Sequence, residues 1–445
     1  MDSLAVYNHS YGSVSSSYCM SGGLPEPLGV TSNNGISEIT PPEGGSVAYG
    51  LGRALRLGYD ALSPAVSSAF EWATSWLPSI PTPFDLPVAS AAKIPQPQTA
   101  SKVELQARCK MRTVNRIALP NQYDGNMVNW GNLAVIANGK AGLQLVDIGF
   151  PKTPFVTAGY NTSGFYAGWN GVAASMGLAF VNSGSDSDGS GSVAIMNISD
   201  PFHPYPIASW NNGMGSPLWM SASETTLYIT NQYDVGAHYS LVEVNITNPV
   251  RPKWAGQISY FDQWFGPFAL LGDHFGVQAR GSDKYLSTNR TVAILDLNND
   301  SVVSTLDTSP RQIADIVVDG TDLFLLATPV DYTTANTSLV YWVNADNFSD
   351  PRIVTTYEFP PDYHPNDIDY SESKLFSLAT PDFMGVDVRI FDTDQNRLSV
   401  SGSYIVDKYD GTRFHFNSFF VSSGYVYILS LGTPKPFVVL NYTCV

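Results

Sequence analysis

The chain has 445 residues, with 39 acidic and 23 basic side chains and a formal net charge of −16. A surface this acidic has no excess of cations with which to displace counterions from phosphate, so nucleic acid and anionic lipid are excluded as expected partners. No run of 18 apolar residues occurs, so no transmembrane helix is expected, and the opening Met1-Asp2-Ser3-Leu4 lacks the basic-then-apolar pattern of a signal peptide.

Residues 1–45 are rich in Ser, Gly, Tyr, Asn and Pro and have no apolar periodicity. Such a segment buries too little surface to offset its chain entropy and reads as a low-complexity arm. Between 46 and 77, Leu51, Leu55, Leu62, Val66, Phe70 and Trp76 recur at roughly helical spacing with a break near Pro64, which predicts one or two short amphipathic helices. Residues 78–100 carry six prolines and read as an extended linker. The arm, residues 1–100, is therefore expected to attach or assemble the domain formed by residues 101–445.

From about residue 110 the chain repeats itself. A short aliphatic strand ends in Asp or Asn at Asp147, Asn197, Asn245, Asp296, Asn344, Asp392 and Asn441, at intervals of 50, 48, 51, 48, 48 and 49 residues. An upstream apolar strand begins near Leu133, Leu178, Leu227, Phe275, Leu323, Leu375 and Val426, and a further short strand follows most anchors. Seven all-β units of about 49 residues match the radial repetition of a seven-bladed β-propeller. The side chain of an Asp or Asn at a strand end accepts a backbone N–H two residues on, which fixes the turn from the third to the fourth strand.

These anchors resemble the LVIVD-repeat propellers. The resemblance is carried by Leu145-Val146-Asp147 with Pro151 and Pro154, by Asn197-Ile198-Ser199-Asp200-Pro201 with Pro204, by Asn245-Ile246-Thr247-Asn248-Pro249 with Pro252, and by Ser349-Asp350-Pro351. It covers about 335 residues and implies a propeller fold, frequently in an extracellular setting, with no single activity attached.

The last unit runs out after its third strand, whereas an orphan strand over 113–119 precedes the first. The orphan strand is expected to complete the seventh blade, because a closed ring leaves no exposed edge. Cys109 and Cys444 then flank the break in the ring, where the other blades have a continuous hairpin. They are expected to form a disulfide, leaving out Cys19.

Nine Asn-X-Ser/Thr sequons occur, at Asn8, Asn161, Asn197, Asn245, Asn289, Asn299, Asn336, Asn347 and Asn441. The last eight are the expected glycosylation sites of an extracellular, cell-surface or virion-surface protein. No metal-ligand spacing, nucleophile elbow or phosphate loop occurs, so neither cofactor nor metal is expected. The acidic turns at Asp186, Asp296 and Asp392 read as solvated turns. Large aromatics, Tyr123, Phe165, Tyr166, Trp169, Trp264, Phe265 and Tyr363, fall in the segments expected to lead into first strands, and they are the expected contact surface for a protein or glycan partner. The pattern argues for a non-catalytic structural or adhesive glycoprotein. The alternative is a hydrolase or lactonase working in the central channel, where His364, Asp367 and Asp369 sit at the entry to blade six.

Overall fold

The computed structural model describes residues 108–444, apart from 121–124, 140, 162–166, 184–191, 212–215, 233–238, 261–263, 282–289, 330–336, 362, 380–384, 395, 409–414 and 432–435. The arm with its expected helices lies outside the described residues. A single strand, β1 (Cys109–Ile117), precedes the first blade. Blade one is β2 (Asn126–Trp130), β3 (Leu133–Ala137), β4 (Leu143–Asp147) and β5 (Phe155–Tyr160). Blade two is β6 (Ala167–Ser175), β7 (Leu178–Ser183), β8 (Ser192–Asn197) and β9 (Tyr205–Trp210). Blade three is β10 (Ser216–Ala222), β11 (Thr226–Gln232), β12 (Tyr239–Asn245) and β13 (Lys253–Tyr260). Blade four is β14 (Trp264–Leu271), β15 (Phe275–Gly281), β16 (Arg290–Asp296) and β17 (Ser301–Asp307). Blade five is β18 (Arg311–Asp319), β19 (Asp322–Pro329), β20 (Leu339–Asn344) and β21 (Arg352–Glu358). Blade six is β22 (Pro365–Ser371), β23 (Lys374–Ala379), β24 (Gly385–Asp392) and β25 (Ser399–Lys408). Blade seven is β26 (His415–Ser422), β27 (Tyr425–Leu431) and β28 (Phe437–Cys444), completed by β1 in the order β1-β28-β27-β26. The protein is a seven-bladed β-propeller.

Each blade is an antiparallel meander, and the anchors set its register. Asp147 pairs with Leu133, Asn197 with Leu178, Asn245 with Thr226 and Asn441 with Tyr425, so each anchor faces the first residue of the preceding strand. In five blades the anchor carboxyl or amide oxygen accepts the N–H two residues on: Gly149 to Asp147 at 2.7 Å, Ser199 to Asn197 at 2.9 Å, Thr247 to Asn245 at 3.0 Å, Asn298 to Asp296 at 2.9 Å and Asp346 to Asn344 at 3.2 Å. In blade six the Asp392 carboxylate instead pairs with Lys374 at 2.7 Å and with Arg108 at 3.8 Å.

The closing strand extends from Cys109 to Ile117, a few residues earlier than the sequence suggests, because the ladder with β28 continues through Thr443 to the Cys109–Cys444 disulfide. That β1 is a true outer strand is written in its register. In each of the first six blades the fourth strand carries a bulge opposite the two residues before the anchor, as between Leu145 and Val146 or Ile390 and Phe391. In β1 the bulge falls between Thr113 and Asn115, opposite Leu440 and Val439, at the same distance from anchor Asn441. One extra residue there increases the local twist, which every blade of a ring needs equally.

Buried aliphatic and aromatic side chains fill the spaces between blades. One cluster joins Ile136 and Val146 of blade one, Phe376 and Val388 of blade six, and Tyr427 and Val438 of blade seven, so the seam lies inside a core continuous with its neighbours. The closing strand is tied on both sides: Arg116 Nη2 donates to the Val406 carbonyl at 3.0 Å, and Asn115 Nδ2 to the Lys152 carbonyl at 2.7 Å. Gly402 has no room for a side chain, because an added Cβ would lie 2.6 Å from the Cys109 carbonyl oxygen.

Candidate functional site

The first strands of successive blades pack on one another around the whole ring, β2 on β6, β6 on β10, and so on to β26 on β2, and so enclose the axis. Three carboxyl groups stand on this inner wall, Asp315 on β18 and Asp367 and Asp369 on β22, each half-buried. Their oxygens are directed at main-chain N–H groups. Asp315 accepts Ile316 N–H at 2.8 Å and Ile368 N–H of the next blade at 3.0 Å. Asp367 accepts Phe419 N–H of blade seven at 3.2 Å, and the Asp315 carboxyl, through its bond to Ile368, stands beside it. Asp369 accepts Tyr370 N–H at 2.8 Å and Val421 N–H of blade seven at 2.5 Å. Burial raises all three above the usual carboxylate range, Asp369 to about 7, and the Asp315 charge raises Asp367 further.

This geometry argues against a metal centre. Carboxylates that coordinate a cation turn their oxygens toward one point, whereas five of these six oxygens accept main-chain N–H groups, three of them from the adjacent blade. No group of three or more His, Cys, Asp or Glu among the described residues is arranged to hold a metal ion. The acidic turns at Asp296 and Asp392 use their carboxylates in the turn itself and on Lys374, and the Asp186 turn lies outside the described residues.

The expected aromatic contact surface is redistributed. Tyr123, Phe165 and Tyr166 lie outside the described residues. Trp169 belongs to β6, and Trp264 and Phe265 to β14, so these three are first-strand positions and not loop positions. Tyr363 is a correction: it is 1% exposed and belongs to the core between blades five and six. Its hydroxyl hydrogen-bonds Ser377 Oγ at 3.0 Å, its ring stacks on Phe359 at 5.1 Å, and the Arg389 guanidinium lies 3.5 Å from the ring centroid. The segment turns back on itself, with Tyr363 N–H donating to the Pro360 carbonyl at 2.9 Å, and this swings the ring inward.

A surface that the sequence reading missed lies on the outer flank of blades one to three. Phe150 (74% exposed), Phe155, Phe202 (54%), Tyr205, Val250 and Trp254 (46%) project from the anchor turns and fourth strands. Phe155 stacks on Phe202 across the blade boundary at 6.4 Å, and Trp210 on Trp254 across the next at 6.5 Å. The available signal was the residue after the turn proline in blades two and three, Phe202 and Val250, and Phe150 just before Pro151 in blade one, where a solvated turn ordinarily carries polar side chains. Exposed Lys152, Arg251 and Lys253 stand on the same turns and strands, together with exposed Asp200.

Of the sequons, Asn161, Asn245, Asn299 and Asn347 are exposed, Asn197 and Asn441 are half-buried, and Asn289 and Asn336 lie outside the described residues. Asn197 is engaged twice, its Oδ1 accepting Ser199 N–H and its Nδ2 donating to Tyr205 Oη at 3.1 Å.

No family model matches the chain, so the LVIVD family is not shown, and no curated protein matches it by sequence. Solved structures are similar in fold. The β-propeller domain of Cps50 (Swd1) from Myceliophteria thermophila superposes with a TM-score of 0.51 at 10% identity, covering 76% of this chain and 100% of that one. The WD40 β-propeller domain of Doa1 superposes at 0.50 with 12% identity, covering 75% of this chain and 97% of that one. A chain of the mitotic checkpoint complex superposes at 0.51 with 10% identity, covering 80% of this chain and 99% of that one. At such identities the likeness shows a shared propeller fold.

Proposed function

We propose that this protein is a non-catalytic interaction scaffold, a secreted or surface-exposed glycoprotein whose propeller head meets protein partners and whose N-terminal arm serves attachment. The observation that carries this reading is the band of exposed rings across blades one to three. Contiguous apolar surface of this kind is costly in water and marks contact sites. The propeller neighbours support it, one of them having been solved within a multiprotein complex. The disulfide supports an oxidising compartment. The channel carboxyls, with oxygens spent on backbone N–H groups, favour this reading over a channel hydrolase.

Chemical cross-linking of the native protein in its source material tests the scaffold. Exposed Lys152 and Lys253 border the rings and are expected to link to a second protein, and deletion of residues 1–100 is expected to leave a folded head that no longer assembles. Turnover of an ester or lactone panel that disappears on Asp369→Asn would support the channel enzyme instead. Glycopeptide mass spectrometry tests the compartment: occupancy is expected among Asn161, Asn197, Asn245, Asn289, Asn299, Asn336, Asn347 and Asn441, and eight bare sites would remove the glycoprotein reading.

A further inference from the structure

The three inner-wall carboxyls do something that a ring of apolar strands does not. Asp315 accepts the N–H of Ile316 and, from the next blade, that of Ile368, so its carboxyl stands beside Asp367, the residue before Ile368. Asp367 in turn accepts the Phe419 N–H of blade seven. Two half-buried carboxyls held side by side are most stable with a proton between them, and the one that accepts two N–H groups is the one that stays ionised, which puts the proton on Asp367. Ile368 sits between Asp367 and Asp369 on β22, so a single short stretch of backbone is held from blade five and itself holds blade seven.

We propose that Asp315, Asp367 and Asp369 form a one-proton latch that ties the inner strands of blades five, six and seven together and loosens when the proton is lost. With the proton gone, two carboxylates standing side by side repel across a half-buried site that water screens poorly. The charges acting on the three carboxyls are one another's. Of the strands packed on β18 and β22, β14 carries no titratable side chain. Lys374 of β23 is paired with Asp392, and Asp322 of β19 closes the turn opposite Asp319. Arg280 lies on β15, and Arg290 and Asp296 lie on β16, in blade four. Arg311 of β18 donates to the Thr337 carbonyl, and His415 opens β26, four residues before Phe419.

The direction of the pH effect follows. A carboxyl kept protonated in the ring, but free to ionise in the unfolded chain near about pH 4, favours folding in acid. That advantage shrinks as pH rises through the folded values, about 7 for Asp369, and is absent above them. Glu243, raised to about 7 by burial and by Asp300, loses stability in the same window at the boundary of blades three and four, so wild type is compared with single variants.

Asp367→Asn is the decisive variant, because its amide keeps both bonds: the oxygen accepts Phe419 N–H, and the amide N–H donates to Asp315 without a titrating proton. The full-length disulfide-bonded protein carrying it is expected to melt about 3 °C or more above wild type at about pH 8 and within about 1 °C of it at about pH 5. Asp315→Asn is expected to melt lower at both pH values, since an amide cannot accept two N–H groups and a carboxyl proton. Equal losses for the two variants at about pH 8 would overturn the latch. Infrared spectra of the wild type guard against a variant that fails to fold: a protonated-carboxyl stretch is expected at about pH 6, and its absence from the folded wild type would equally overturn it.

Discussion

Replacing Cys109 and Cys444 together with serine is expected to cost the head roughly 5 kcal/mol, and to lower its melting temperature by on the order of 10 °C. The bond closes a sequence separation of 335 residues, and a loop that long loses the most entropy when it is cross-linked in the unfolded chain. It also sits at the one blade whose outer strand is not joined to its third strand by a turn. In the other six a hairpin holds the fourth strand, fastened in five of them by the anchor; in blade seven, β1 depends on the β28 ladder, the core beneath Met111 and Val114, and the disulfide. Amide exchange is expected to accelerate first along β1 in the double variant, before any other strand. Recovery of both cysteines as free thiols in a non-reducing peptide map of native protein, or an unchanged melt, would refute this account of the seam.

The second large effect is expected at Tyr363. Truncation to alanine removes a ring packed against Phe359, beneath Arg389, and between two blades, and is expected to cost about 3–5 kcal/mol in denaturant unfolding. Tyr363→Phe keeps the ring and loses the bond to Ser377 Oγ, for about 1 kcal/mol. Phe202→Ser, on the exposed flank, is expected to change stability by less than about 0.5 kcal/mol while reducing cross-links from Lys152. If Tyr363→Ala were neutral to stability, the residue would belong to the surface after all.

Why these two residues invert their apparent roles is a matter of contact. Nothing in the local sequence around Tyr363 distinguishes a ring that turns inward from one that turns outward; the difference is the turn at Pro360 and the presence of Arg389, which the sheet of blade six places over it. The rings of Phe155 and Phe202 lie in different blades, and only the packing of one blade beside the next brings them together on a flank.

What is local and repeated can be read from the chain alone. The seven anchors from Asp147 to Asn441 are local, five of them closing turns only two residues long, so their spacing pointed to seven blades, the unpaired ends and the pairing of Cys109 with Cys444. What depends on neighbouring blades becomes visible once the ring is built. Asp315 and Asp367 are separated by more than a whole strand-meander in the chain, yet they stand side by side because successive first strands pack on one another around the axis. An anchor is a bond between a side chain and its own turn and is visible in any sequence window, whereas a latch, a buried ring or a surface band is a relation between blades, and only closing the ring creates it.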